Sequence, residues 1–177
     1  MLRQVAPMIQ IAFEPAYDPY HTAFRFLLQG KYAAESIQIS KARIFDIFVL
    51  EPFRIERIRV PNSMKRRKSL AVACQPPFYG QRPSTQSLFN QARAIQDAAL
   101  QTMALRGLIA LDKYEIGQLE VIGERVPGEM SRLINLEIER LRPVLQFLND
   151  DLGQFPFDGV GGIKDRTQLG EFKYDVV

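Results

Sequence analysis

Residues able to do chemistry are few in this 177-residue chain. There is one histidine, His21, and one cysteine, Cys74. One histidine cannot build a histidine metal cluster or an acid and base histidine pair within the chain. His21 and Cys74 could combine only as a base and its nucleophile, and one residue of each type is a weak basis for that pairing. The simpler reading makes Cys74 a small core residue. Asp150 and Asp151 are adjacent at an expected helix end, where a solvated turn accounts for them better than paired acid and base roles. The glycine cluster at 159–162, "GVGG", lacks the Lys and Ser/Thr of a phosphate-binding loop, and no credible helix is expected after it, so it reads as linker. No catalytic residue, metal ligand or cofactor is assigned, and the expectation is a protein that is not an enzyme.

Charge supplies the next signal. Net charge is only +3, with a pI near 9.1, too mild to argue for a polyanionic partner by its sum. Clustering matters more. Lys65, Arg66, Arg67 and Lys68 are four consecutive cations, expected in a loop, and they must concentrate positive potential there. They are either a solvated loop or a sequence-indifferent contact with a DNA backbone inside a larger assembly.

The stretch "LRGLIALDKYEIGQLEVI", Leu105 to Ile122, follows a long amphipathic helix and reads as a hairpin. Its strands are expected at Leu108 to Leu111 and Leu119 to Ile122, with Gly117 near the turn. A hairpin docked after a helix is how a winged helix is built. A wing that lies on DNA should carry cations, but Asp112 and Glu115 outweigh Lys113 in this turn. Gln86, Asn90, Gln91, Gln96 and Gln101 on the preceding helix could read base edges, with only Arg93 and Arg106 to position them against Asp97. A winged-helix transcriptional regulator is therefore the alternative reading, and protein contact is the preferred role for the wing.

The elements follow from caps and periodicity. Asp18 caps a helix that Pro19 opens and Gly30 closes; Ile37 and Ile39 mark a short strand; Ser40 caps a second helix that Pro52 ends. In the region 53–83, "FRIERIRVP" could be a strand or a helical turn, and "QPPFYGQRPS" reads as loop. Ser84 caps a third helix, whose Leu88, Ala92, Ile95, Ala99 and Met103 form one apolar face, and Gly107 ends it. A last helix is expected from about Glu129 to Asn149. In it Ile134, Ile138, Leu141, Leu145 and Leu148 are spaced four, three, four, three, the spacing of a coiled-coil seam, and Pro143 should kink it. Leu133, Leu136, Val144 and Phe147 add apolar surface beyond what one neighbour covers, so the seam, with Phe155 and Phe157 after it, is the expected partner interface.

Apolar residues at 46% and charged residues at 24% match an ordinary soluble globular chain. The fold class expected is mainly α with a small β-hairpin: a winged-helix-like core, residues 1–127 with a basic insertion loop, followed by an interaction helix and tail, residues 128–177. No run approaches a membrane span, and a lone cysteine suits a reducing compartment, so no membrane association and a cytoplasmic location are expected.

Two stretches also carry a family resemblance. "DPYHTAFRFLL", Asp18 to Leu28, and "IQISKARIFDIFVLEPFRI", Ile37 to Ile55, resemble the small middle component of bacterial ABC-three-component conflict systems, the group that includes Lamassu-type defence. The similarity covers about a third of the chain well, and its motif is mostly hydrophobic. What the resemblance implies is a non-catalytic adaptor subunit that binds an SMC- or RecN-like coiled-coil ATPase and an effector, often a nuclease, in defence against phage or plasmids. It transfers no active-site residue.

Overall fold

The computed structural model describes residues 14–75 and 82–170. Helices dominate, with one small antiparallel two-stranded sheet. Helix α1 spans Pro19–Ala33; strand β1, Ile37–Gln38, leads directly into α2, Ile39–Leu50. A 3-10 turn, Pro52–Arg57, precedes α3, Lys65–Ala73. The long α4, Thr85–Leu105, is followed by α5, Leu111–Glu115, and by strand β2, Gln118–Leu119. The C-terminal part contains α6, Gly128–Arg140, then α7, Arg142–Gln146, and α8, Ile163–Thr167.

Caps set several boundaries as the residues predict. The Asp18 carboxylate accepts from the backbone N–H of Tyr20 at 2.8 Å and of His21 at 3.0 Å, satisfying two donors left open at the start of α1. The Ser84 hydroxyl accepts from Ser87 N–H at 3.1 Å at the start of α4. Gly107 has φ +65, the left-handed conformation that ends the chain's run out of α4.

Two caps differ from expectation. Gly30 lies inside α1, which runs on to a left-handed Ala34. A Cβ at Gly30 would meet Val121 Cγ2 at 2.4 Å, so this glycine lets a helix approach a strand; it does not end the helix. Ser40 does not cap α2. The helix starts at Ile39, whose N–H donates to Gly117 carbonyl at 2.8 Å, so the sheet supplies the cap.

The hairpin is real but its tip is helical. Ile109 bridges Val121, Ala110 N–H donates to Glu120 carbonyl, and Ile122 N–H donates to Leu108 carbonyl, both at 2.9 Å. Between those arms Leu111–Glu115 coils into α5, because "LDKYE" has good helix formers and no residue demanding a tight turn before Gly117, at φ +76. The returning arm pairs Gln118 and Leu119 with Gln38 and Ile37 of β1.

The expected continuous last helix is interrupted. Pro143 has no N–H and its ring would clash with the carbonyl four residues earlier, so α6 stops at Arg140 and α7 restarts at Arg142. A π turn, Phe147–Asp151, and a 3-10 turn, Leu152–Gln154, complete the descent. One hydrophobic cluster joins Phe26, Phe45, Phe48 and Leu100 with Ile134, Leu145, Phe147 and Ile163, so the core crosses the expected boundary at residue 127.

The glycine cluster is ordered turn rather than linker. Gly159 and Gly161 have positive φ, and a helix, α8, follows Gly162. A Cβ on Gly162 would stand 2.6 Å from Asp158 carbonyl oxygen.

Candidate functional site

Asp46, in the middle of α2, is fully buried and holds three helices together. Arg25 of α1 reaches it through Nε at 2.6 Å and Nη2 at 3.2 Å, and Gln96 of α4 donates to the same carboxylate at 2.9 Å. Arg25 also donates to Thr22 Oγ1 at 3.0 Å and to Pro15 carbonyl at 3.3 Å. Both carboxylate oxygens and all three guanidinium nitrogens are engaged, so the cluster resembles a buried structural tie. It removes Gln96 from the set of possible base readers, because this side chain is 1% exposed and committed inside the core.

Cys74 follows α3, half-buried, and its thiol donates to Leu70 carbonyl at 3.6 Å. Burial raises its pKa, against weaker lowering by the Val144 backbone and the Arg140 charge. A raised thiol carries less thiolate at neutral pH, the opposite of an activated nucleophile. Among the described residues no group of three or more His, Cys, Asp or Glu side chains could hold a metal ion.

The four cations do not form a loop. Lys65 to Lys68 are the first turn of α3, packed against the Pro52–Arg57 turn on one side and α7 on another. Arg67 pairs with Asp151 at 2.9 Å, and Lys68 donates to Ile58 carbonyl at 2.8 Å. Asp151 is itself 8% exposed, so it is a buried partner of Arg67 and not a solvated turn residue. Lys65 and Arg66 are exposed, and their side chains make no hydrogen bond or ion pair among the described residues. Cations in a first helical turn oppose the positive end of the macrodipole by about 0.3–1 kcal/mol each, so local helix stability does not explain their presence.

The expected seam is spent internally. Ile134, Leu141, Leu145 and Leu148 are buried within this chain, and Ile138 is half-buried against the same core. The break at Leu141 turns successive seam residues onto α1, α2 and α3, which a straight helix could not have reached. Phe155 and Phe157 also pack on the core, beneath Arg166 at 3.7 Å and Lys164 at 4.9 Å from their ring centroids. Phe172 and Tyr174 of the tail lie outside the described residues.

Apolar surface remains elsewhere. On α6 Met130, Leu133 and Leu136 are 36%, 45% and 57% exposed, along the flank that runs from beside Ile134 out to solvent. With Tyr20 and Phe24 of α1 and Leu50 of α2 they wall an open groove of roughly 750 Å³. The charges flanking this stripe are paired locally, Glu129 with Arg132 at 2.6 Å and Glu137 with Arg140 at 2.5 Å. The hairpin offers a second patch: Leu111 and Ile116 are exposed, while Lys113 lies 4.0 Å from Glu120. Sequence reasoning had noted Leu133 and Leu136 as excess apolar surface, but gave the interface to the seam.

The family model for the ABC-three component (ABC-3C) system Middle Component 5 matches residues 11–175. The chain belongs to this family. The match spans nearly all of the sequence, so it covers the hairpin, the broken C-terminal helix and α8 together with the N-terminal stretches that carry the resemblance. No curated protein and no solved structure matches the chain. As a middle component, this protein works among other components of a multi-subunit system, which gives its exposed apolar and basic surfaces a place to act. Among the described residues no helix is long and apolar enough to cross a membrane.

Proposed function

We propose that this middle component is a non-catalytic, cytoplasmic adaptor that docks an SMC- or RecN-like coiled-coil ATPase and couples it to an effector, a nuclease, in Lamassu-like defence against phage or plasmids. The observation that carries this reading is the groove between α1 and α6. It exposes Tyr20, Met130, Leu133 and Leu136 together, and a contiguous apolar patch of this kind is the mark of a protein-binding face. An apolar groove between helices suits an amphipathic partner helix, such as one strand of a coiled coil. The hairpin after α4, with β1 paired at its edge, supports reading it as the wing of a winged-helix-like core, and its exposed Leu111 and Ile116 favour protein over phosphate as its contact.

Co-expression with the products of adjacent genes tests the adaptor. The wild-type chain is expected to co-purify with a coiled-coil ATPase, and Leu133→Glu/Leu136→Glu to lose it while keeping its own thermal midpoint. Purification of the wild-type chain alone and monomeric from such cells would overturn the reading. No observation favours the transcriptional-regulator alternative, since Gln96 is buried and the wing tip is acidic.

A further inference from the structure

We propose that the basic lobe formed by the Pro52–Arg57 turn and α3 seats the phosphodiester backbone of a duplex nucleic acid, through Arg57, Lys65 and Arg66, without reading sequence. The inference goes beyond the adaptor reading and does not depend on it. Residues 52–73 carry seven cations and a single acid, Glu56, a net +6; since the whole chain is +3, everything outside this segment sums to −3. Glu51, Asp151 and Asp165 from outside the segment pair with three of these cations, so the positive potential of the lobe rests on the cations left over.

Most of the lobe's cations serve the fold. Arg54 is buried, pairs with Glu51 and donates to Thr85 Oγ1 at 3.1 Å and Pro83 carbonyl at 3.0 Å. Arg59 pairs with Asp165 at 2.9 Å, Arg67 with Asp151, and Lys68 with the Ile58 carbonyl. Arg57, Lys65 and Arg66 are what remains. All three are exposed, and among the described residues none of their side chains forms a hydrogen bond or ion pair. They come from two elements packed against each other, so their charges face solvent from one rigid unit. Arg57 lies near Arg54, whose pKa is lowered chiefly by burial and further by the Arg57 charge. The hollow beside Arg57, roughly 270 Å³, is walled by Arg82, Ser84 and Thr85 at the start of the 21-residue α4. Arg54 and Arg82 at this hollow are paired with Glu51, so Arg57 is the guanidinium there that a phosphate would meet.

Duplex nucleic acid is the partner this pattern fits, because its phosphates form a dense, regular line of charge that unpaired cations on a rigid face can neutralise without base contacts. Fluorescence anisotropy of the full chain with labelled DNA duplexes of unrelated sequence provides the test. Binding is expected at about 10⁻⁶ to 10⁻⁴ M near physiological salt, equal across sequences and steeply salt-dependent. Arg57→Gln/Lys65→Gln/Arg66→Gln should reduce the slope of log affinity against log salt by about 2.7, three phosphate contacts at ~0.9 each, with an unchanged melting midpoint. Arg106→Gln/Arg132→Gln/Arg142→Gln, which removes equal charge elsewhere, should leave the slope in place. An RNA duplex in parallel tells which nucleic acid occupies the seat, and preference for either supports it. An unchanged slope in the lobe variant overturns the proposal. So does equal affinity for polyglutamate, which would reassign the lobe to an acidic protein surface.

Discussion

Removing Asp46 should be among the most damaging single changes in the chain. In Asp46→Ala the guanidinium of Arg25, 7% exposed, keeps only Thr22 Oγ1 and the Pro15 carbonyl as partners and has no countercharge. Breaking a buried pair this way costs about 3–5 kcal/mol. At ~2–4 °C per kcal/mol for a chain of this size, the melting midpoint should fall by roughly 6–20 °C. The paired reversal isolates the cause. Arg25→Met/Asp46→Leu removes both charges and fills similar volume, and the groups left behind retain second bonds: Thr22 Oγ1 donates to Asp18 carbonyl at 2.9 Å, and Gln96 Nε2 donates to Arg43 carbonyl at 3.2 Å. The double variant should therefore recover most of the loss. Urea denaturation of wild type, both single variants and the double variant measures the four free energies, and salt should change them little because the pair is shielded from water. If Asp46→Ala costs less than about 1 kcal/mol, in the range of an exposed pair, the assignment of this cluster as the tie between α1, α2 and α4 is refuted.

Three further outcomes follow from individual sites. Gly30→Ala drives a Cβ to 2.4 Å from Val121 Cγ2 and should cost about 1–3 kcal/mol, with Val121→Ala restoring part of it in a double-variant cycle. Gln29 is 1% exposed and neither amide atom has a hydrogen-bond partner among the described residues, so Gln29→Met should stabilise by roughly 1–2 kcal/mol in the same denaturation assay. Because burial lifts the Cys74 thiol above its ordinary range, alkylation by iodoacetamide should run slower than for an exposed peptide thiol at neutral pH. Its rate should rise only at correspondingly higher pH, followed by mass spectrometry.

Local signals were legible where one residue decides the outcome. Asp18, Pro19, Ser84 and Gly107 act through their own geometry, and Pro52 stops α2 at Leu50 for the reason its ring dictates. Signals that depend on a distant partner were not. Gly30 resembles a helix terminator from its neighbours, but its use is set by Val121, 91 positions away. The cations at 65–68 looked like a loop because four like charges oppose a helix start. Tertiary contacts hold that turn instead, through Asp151 for Arg67 and the Ile58 carbonyl for Lys68, and these lie far off or on the backbone.

The interface expectation failed for a related reason, and the failure locates the surface better than success would have. A four-three spacing states only that one helical face is apolar; whether that face meets its own chain or another depends on how much of the core is still uncovered. Here the break before Pro143 lets a single run of apolar residues serve three neighbours, which consumes Ile134, Leu141, Leu145 and Leu148. What the core leaves uncovered is one flank of α6, beside its buried face. There Met130, Leu133 and Leu136 stay in water although each costs free energy exposed. The same logic applies to Lys65 and Arg66, kept at a helix start that disfavours them. Residues that oppose local or global stability, with no compensating contact inside the chain, are where function should be sought. In this middle component they fall on two surfaces, one apolar and one basic.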